Sequence, residues 1–100
     1  MNRPRVFRVF DLTGIVEGVG LRATVRWLAT RDGLCGWVQN RSDRVRLRLE
    51  GDADAVSLFM QKLPQGLPPD ARLDTVREIA SGVLAEGEGF LNFNIRHSEE

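Results

Sequence analysis

Three glycines and an arginine lie within nine residues near the start of the chain. The segment Gly14-Ile15-Val16-Glu17-Gly18-Val19-Gly20-Leu21-Arg22 follows an apolar stretch and opens an amphipathic one. Glycines let the backbone turn tightly and bring its N–H groups close to a ligand. The start of a helix adds unpaired N–H groups, and an arginine adds a rigid fork of donors. We therefore expect this segment to bind an anion, most simply a phosphate.

The segment differs from two common phosphate loops. No Lys-Ser or Lys-Thr pair follows Gly20, so it is not a Walker A motif. Gly18, Gly20 and Ala23 fit the short dinucleotide pattern G-x-G-x-x-A. However, only a few residues join the strands predicted at 34–39 and 45–50, where a dinucleotide-binding unit would need a helical crossover. A third alternative is a strand-to-helix turn that needs glycines for its shape and binds nothing.

A second polar segment starts 18 positions after Arg22, at Asn40. Residues 34–39 predict a short strand, and Asn40 begins a polar turn that runs to Asp43. Residues 45–50 then alternate apolar and charged side chains, which indicates a half-buried strand. Because only a few residues connect the two strands, we expect an antiparallel hairpin with Asn40 at its turn.

Apolar periodicity predicts the elements that position these residues. Strands are expected at 6–13, 34–39, 45–50, 72–80 and 91–95, with one helix at 21–32 and another that Asp52 caps and Pro64 ends. The order β-α-β-β-α-β plus a short C-terminal strand predicts an α+β, ferredoxin-like split βαβ sandwich. Two helices should pack on one face of a mostly antiparallel sheet. The first two strands then run in the same direction, so Arg22 and Asn40 should face one pocket.

Such a pocket lacks a strong nucleophile, but it can still hydrolyse a phosphate that is bonded to a good leaving group. Phosphoryl transfer passes through a loose transition state, so positioning and charge stabilisation supply most of the catalysis. The easiest substrate is an acyl phosphate, whose carboxylate leaving group needs little protonation. Arg22 and the loop amides would hold the phosphate oxygens, and Asn40 would orient one attacking water.

In the glycine segment and in the segment around Asn40, the sequence resembles the acylphosphatase family. Residues 14–22 resemble its signature G-x-V-Q-G-V-x-F-R, and residues 36–43 resemble its second signature, G-W-V-x-N with a polar, aspartate-containing turn. Residues 49–52 and 93–96 extend the likeness over nearly the whole chain. The resemblance implies a small stand-alone enzyme that cleaves acyl phosphates to carboxylate and inorganic phosphate without metal or cofactor. It places the phosphate-binding arginine on Arg22, the water-orienting asparagine on Asn40 and the phosphate loop on Val16, Glu17, Gly18, Val19, Gly20, Leu21 and Arg22.

Three residues depart from the family pattern. Glu17 stands where the family usually has Gln, and its charge would oppose a dianion unless the side chain points away. Leu21 replaces Phe, which we interpret as a packing change. Arg44 replaces the glycine common after Asp43, so this hairpin is expected to differ from the family's.

A second hypothesis comes from the same resemblance. The domain also occurs at the N-terminus of hydrogenase-maturation carbamoyltransferases, and the ending Phe93-Asn94-Ile95-Arg96-His97-Ser98 resembles that version. In this alternative the chain is a catalytically weak module that binds acyl- or carbamoyl-phosphate anions.

Composition limits the partners. Fourteen basic residues balance 14 acidic ones, so we interpret Arg44, Arg46 and Arg48 as a solvated sheet face rather than a nucleic-acid strip. Trp27 and Trp37 are expected in core or partly buried packing. The single Cys35 is consistent with a reducing compartment, and we expect no membrane span. Residues 1–100 are predicted to form one domain, a cytoplasmic monomer with a small-molecule acyl phosphate substrate.

Overall fold

The computed structural model describes residues 3–97, so both ends of the predicted 1–100 domain, residues 1–2 and 98–100, lie outside the described residues. Five strands and two helices make up the fold. The strands are β1 (Arg5–Ile15), β2 (Cys35–Asn40), β3 (Val45–Asp52), β4 (Arg72–Val83) and β5 (Phe93–Ile95). The helices are α1 (Leu21–Arg31) and α2 (Ala53–Lys62), and a 3-10 turn, Leu63–Gly66, follows α2.

The strands form one mixed sheet in the order β4-β1-β3-β2-β5. β3 runs antiparallel to both β1 and β2, and β5 is parallel to β2. β1 and β2 therefore point the same way, as predicted. α1 packs against β2 and β5, and α2 packs against β3 and β1. This confirms the predicted ferredoxin-like arrangement.

The core lies between the sheet and the two helices. α1 contributes Leu21, Val25 and Ala29, a stripe at i, i+4 and i+8 that faces the sheet. The Asp52 side chain accepts a 2.9 Å hydrogen bond from the Asp54 N–H and so caps α2, as predicted. Fifteen buried apolar side chains from both helices and the sheet form one cluster. This cluster fixes the start of α1 against the ends of β1 and β2.

Three local predictions are corrected. β4 runs to Val83 rather than ending at residue 80, because β1 continues to pair with it as far as Val6 opposite Val83. β5 begins at Phe93 rather than at Leu91, whose side chain is fully in solvent. Trp27 is 64% exposed, because it lies on the side of α1 away from the buried stripe, where the Arg31 guanidinium covers its ring.

The face of the sheet opposite the helices is charged. Arg46 and Arg48 are half-buried rather than freely solvated, since they pair with the buried carboxylates of Asp11 and Glu50 respectively. Glu50 also accepts a 2.7 Å hydrogen bond from the Phe90 N–H. No helix within residues 3–97 is long and apolar enough to cross a membrane.

Candidate active site

The glycine segment forms the connection from the end of β1 to the start of α1. Gly18 has a φ of 70° and Gly20 a φ of 79°, the left-handed region that side chains with a Cβ disfavour. A Cβ added at either position would meet no atom within 4 Å. The glycines are therefore required by backbone conformation and not by a close neighbour, and the space beside them is open.

The backbone N–H groups of this connection point to no partner in the fold. The Thr24 N–H donates a 3.1 Å hydrogen bond to the Gly20 carbonyl, which is the first bond of α1. Among residues 3–97, none accepts a hydrogen bond from the backbone N–H groups of residues 17–23. These donors, together with the positive end of the α1 dipole, make a seat for an anion.

Arg22 lies in the first turn of α1 and is half-buried. It forms no salt bridge with any acidic residue of the described range 3–97. In contrast, Arg46 and Arg48 of β3 are neutralised by the carboxylates of Asp11 and Glu50. The charge of Arg22 is thus available to a ligand.

Asn40 is the last residue of β2 and lies opposite Val45 of β3. Its Oδ1 atom is buried and accepts no hydrogen bond from any residue between 3 and 97. A buried amide oxygen without a donor costs free energy, so such atoms are found where a ligand or a water supplies the missing bond.

One cleft of about 230 Å³ brings the predicted residues together. Arg22 and Asn40 both line it, as expected from the common direction of β1 and β2. Glu17 and Val19 belong to the loop but do not line the cleft, and the Glu17 side chain is exposed. The lining residues are Val16, Gly18, Gly20, Leu21, Arg22, Ala23, Asn40 and Ile95.

Sequence reasoning missed two of these lining residues. Ala23 follows Arg22 in the first turn of α1. Because the first turn of a helix faces a bound anion, Ala23 could have been predicted as a lining residue. Ile95 reaches the cleft because β5 pairs in parallel with β2, placing Ile95 beside Val38. Nothing in a strand of three residues specifies this pairing, so no sequence signal identified it.

The turn after Asn40 is held by a network of charges. The Arg41 N–H donates a 2.7 Å hydrogen bond to the Arg44 carbonyl, which closes the turn. The Arg44 side chain bonds Asp43 at 2.7 and 3.0 Å and Asp11 at 3.2 Å. Hydrogen bonds from Arg46 and then Arg44 hold the pKa of Asp11 below its usual value, although burial opposes this.

A larger cleft, of about 630 Å³, lies where β1 begins and thus at the opposite end of that strand from the glycine loop. Its charged lining is of mixed sign, with Arg3 and Arg5 beside Glu86 and Glu88. Among residues 3–97, this larger cleft is lined by no residue of the glycine loop and by no buried side-chain polar atom without a partner, so the smaller cleft is the better candidate. Within residues 3–97, no three His, Cys, Asp or Glu side chains lie together as candidate metal ligands.

The acylphosphatase family model matches residues 8–95, which include the glycine loop, Asn40 and all but the ends of the sheet. The chain belongs to the acylphosphatase family. An acylphosphatase of Alcanivorax borkumensis is 48% identical over 66 residues, covering 65% of this chain and 71% of the relative. The structure of a Coxiella burnetii acylphosphatase has a TM-score of 0.77 at 28% identity, covering 93% and 94% of the two chains. Membership of this enzyme family confirms the prediction made from the two motifs.

The same domain also matches part of a much larger protein. A carbamoyltransferase, HypF2 of Cupriavidus necator, is 35% identical over 90 residues, which is 89% of this chain. The chain spans only 11% of the length of that relative. Acylphosphatase-family domains thus occur both in short proteins and within long ones.

Proposed function

We propose that this protein hydrolyses acyl phosphates, releasing a carboxylate and inorganic phosphate. Arg22 and the loop N–H groups bind the phosphate, and Asn40 orients the attacking water. The observation that supports this most is the placement of two groups in one small cleft: the Arg22 guanidinium, which forms no salt bridge with residues 3–97, and the Asn40 Oδ1, which has no hydrogen-bond partner among the same residues.

The residues of the cleft suit the charges of this reaction. The transferred phosphoryl group carries negative charge on three oxygens, which face donors from the loop and from Arg22. The Asn40 Oδ1 accepts a hydrogen bond from the water, whose oxygen forms the new bond to phosphorus. One hydrogen stays on that oxygen, and the other proton passes to an oxygen of the phosphate, so that dihydrogen phosphate is released. The bond from phosphorus to the acyl oxygen breaks, and its electron pair leaves with the carboxylate. Because that leaving group is a weak base, no general acid is required.

Benzoyl phosphate hydrolysis, followed by loss of ultraviolet absorbance with EDTA present, tests the proposal. Arg22→Ala and Asn40→Ala should each lower kcat/KM on the order of a hundredfold, the usual cost of a transition-state donor. Each has a matched control: Arg26→Ala removes an exposed arginine one turn along α1, and Asn94→Ala removes an exposed asparagine on β5. Wild-type protein that is folded by circular dichroism and no faster than buffer would refute the enzymatic function.

A second candidate function follows from the match to the carbamoyltransferase. The chain would then be a weakly active module that binds acyl- or carbamoyl-phosphate anions through the same cleft. Calorimetric titration with inorganic phosphate distinguishes the two: binding that Arg22→Ala abolishes, combined with hydrolysis at the rate of buffer, would favour the module.

We further infer a cytoplasmic monomer. The single cysteine is consistent with a reducing compartment, and the buried apolar cluster is completed within one chain. Sedimentation equilibrium at micromolar concentration should give the 11.2 kDa mass of one chain. A mass of twice this value would refute the monomer.

A further inference from the structure

The side chain of Arg44 connects two parts of the fold that carry the two halves of the cleft. Arg44 lies in the turn that follows Asn40, and its Nη1 atom is 3.2 Å from Oδ2 of Asp11. Asp11 is in β1, three residues before the segment that becomes the glycine loop. The Asp11 side chain is 5% exposed and the Arg44 side chain 36% exposed, so the carboxylate is shielded from solvent while the guanidinium is partly solvated.

The position of Asn40 depends on that turn. The Asn40 Oδ1 accepts no hydrogen bond from residues 3–97, so the backbone must set where this side chain points. On one side the backbone is fixed by β2, and on the other by the pairing with Val45 and the turn bond from Arg41 to Arg44. The Arg41–Arg44 backbone bond closes this turn, and the Arg44 side chain adds a bond from the turn to Asp11 of β1.

Resting on the proposed function, we propose that Asp11 and Arg44 form a positioning pair that holds Asn40 at the right distance from the phosphate loop. Neither residue lines the cleft or touches the reacting atoms. Arg44 acts by tying the Asn40 turn to the strand that carries the loop. This assigns a role to a residue that departs from the family's usual glycine.

Arg44→Ala tests this role without leaving Asp11 unpaired. Arg46 keeps its own two bonds to Asp11, at 2.7 and 3.0 Å, so the buried carboxylate stays neutralised in the variant. Arg8→Ala is the matched control. Arg8 is also a half-buried arginine with two hydrogen bonds to a carboxylate, that of Glu78, but its contacts lie away from the cleft.

The kinetic test measures benzoyl phosphate hydrolysis by five proteins: wild type, Arg8→Ala, Arg44→Ala, Asn40→Ala and the Arg44/Asn40 double alanine variant. Arg44→Ala should lower kcat about tenfold and change KM by less than about twofold, since it misplaces the water and leaves the phosphate seat intact. Arg8→Ala should stay within about twofold of wild type. Adding Arg44→Ala to Asn40→Ala should have no further effect, because the residue it positions is gone. The same tenfold loss in both backgrounds would overturn the proposal.

A second measurement does not depend on turnover. The NMR order parameter of the Asn40 side-chain amide should fall in Arg44→Ala and stay unchanged in Arg8→Ala. An order parameter that Arg44→Ala leaves at its wild-type value would overturn the positioning role even in an active enzyme. A wild-type protein without hydrolysis, whose Asn40 amide nevertheless loosens in Arg44→Ala, would refute the proposed function while supporting the pair.

Discussion

Replacing Asn40 by alanine should make the protein more stable while lowering its activity about a hundredfold. The buried Oδ1 has no donor among residues 3–97, and an unsatisfied buried polar atom costs about 1–3 kcal/mol. Alanine removes this atom but also removes some packing of the side chain, so we expect a net gain of about 1 kcal/mol in the free energy of unfolding. In a domain of this size that corresponds to a rise of about 4–8 °C in Tm.

Thermal unfolding followed by circular dichroism in phosphate-free buffer measures this effect. Phosphate must be absent, because a ligand bound to the native state of the wild type would raise its Tm by mass action. Asn94→Ala on β5 is the control: its side chain is exposed, so its Tm should stay near that of wild type. An Asn40→Ala variant that melts at or below the wild-type temperature would show that a bound water satisfies Oδ1 in solution, and the reasoning that this buried atom costs stability in the ligand-free protein would fail.

Three further predictions concern the loop and its support. Glu17→Gln should lower the inhibition constant for inorganic phosphate about two- to fivefold, because an exposed charge beside the anion contributes about 1 kcal/mol or less; an unchanged constant would contradict this repulsion. Gly20→Ala should lower the free energy of unfolding by about 1–2 kcal/mol, because alanine disfavours the left-handed φ of 79° although its Cβ would meet no neighbour. Urea denaturation should show a smaller loss for Gly20→Asn, since asparagine tolerates this conformation better. Equal losses for the two variants would point to a steric clash of the added side chain instead. Asp11 has a lowered native pKa, so the unfolded chain binds more protons between that pKa and the ordinary value of 3.8, and stability is lost as the pH falls through this window. Asp11→Asn should flatten the acid limb of a plot of unfolding free energy against pH, and an unchanged limb would contradict the assignment.

The sequence contained enough information to place both polar groups of the cleft. The glycine loop could be assigned to a strand end and a helix start, because strand-forming residues with apolar side chains on both faces precede it and a helical period of 3.6 residues follows it. The helix between the first two strands carries the chain back, which makes these strands parallel and brings Arg22 and Asn40 to the same end of the sheet. Both steps depend on local patterns and on chain connectivity, which one sequence can supply.

Other features depend on contacts between distant segments. The length of β4 follows from its pairing with β1, and the wall formed by Ile95 follows from the pairing of β5 with β2. The tie from Arg44 to Asp11 joins residues 33 positions apart, and alternation alone predicted only that Arg44 lies on an exposed face. The exposure of Trp27, in contrast, does not depend on a distant contact. The apolar stripe of α1 puts Trp27 on the opposite side of the helix from the core, so the sequence already contained the information that corrects its predicted burial.

The parallel pairing of β5 with β2 affects the order in which the parts of the cleft form during synthesis. A nascent chain that ends before residue 93 already contains both signatures, yet the outer edge of β2 lacks the neighbour whose Arg96 N–H donates to the Val38 carbonyl. The Ile95 wall is also missing at that stage. An emerging chain therefore has the chemical groups of the cleft before it has the enclosure around them, and its exposed strand edge is open to wrong pairing until the final strand is made.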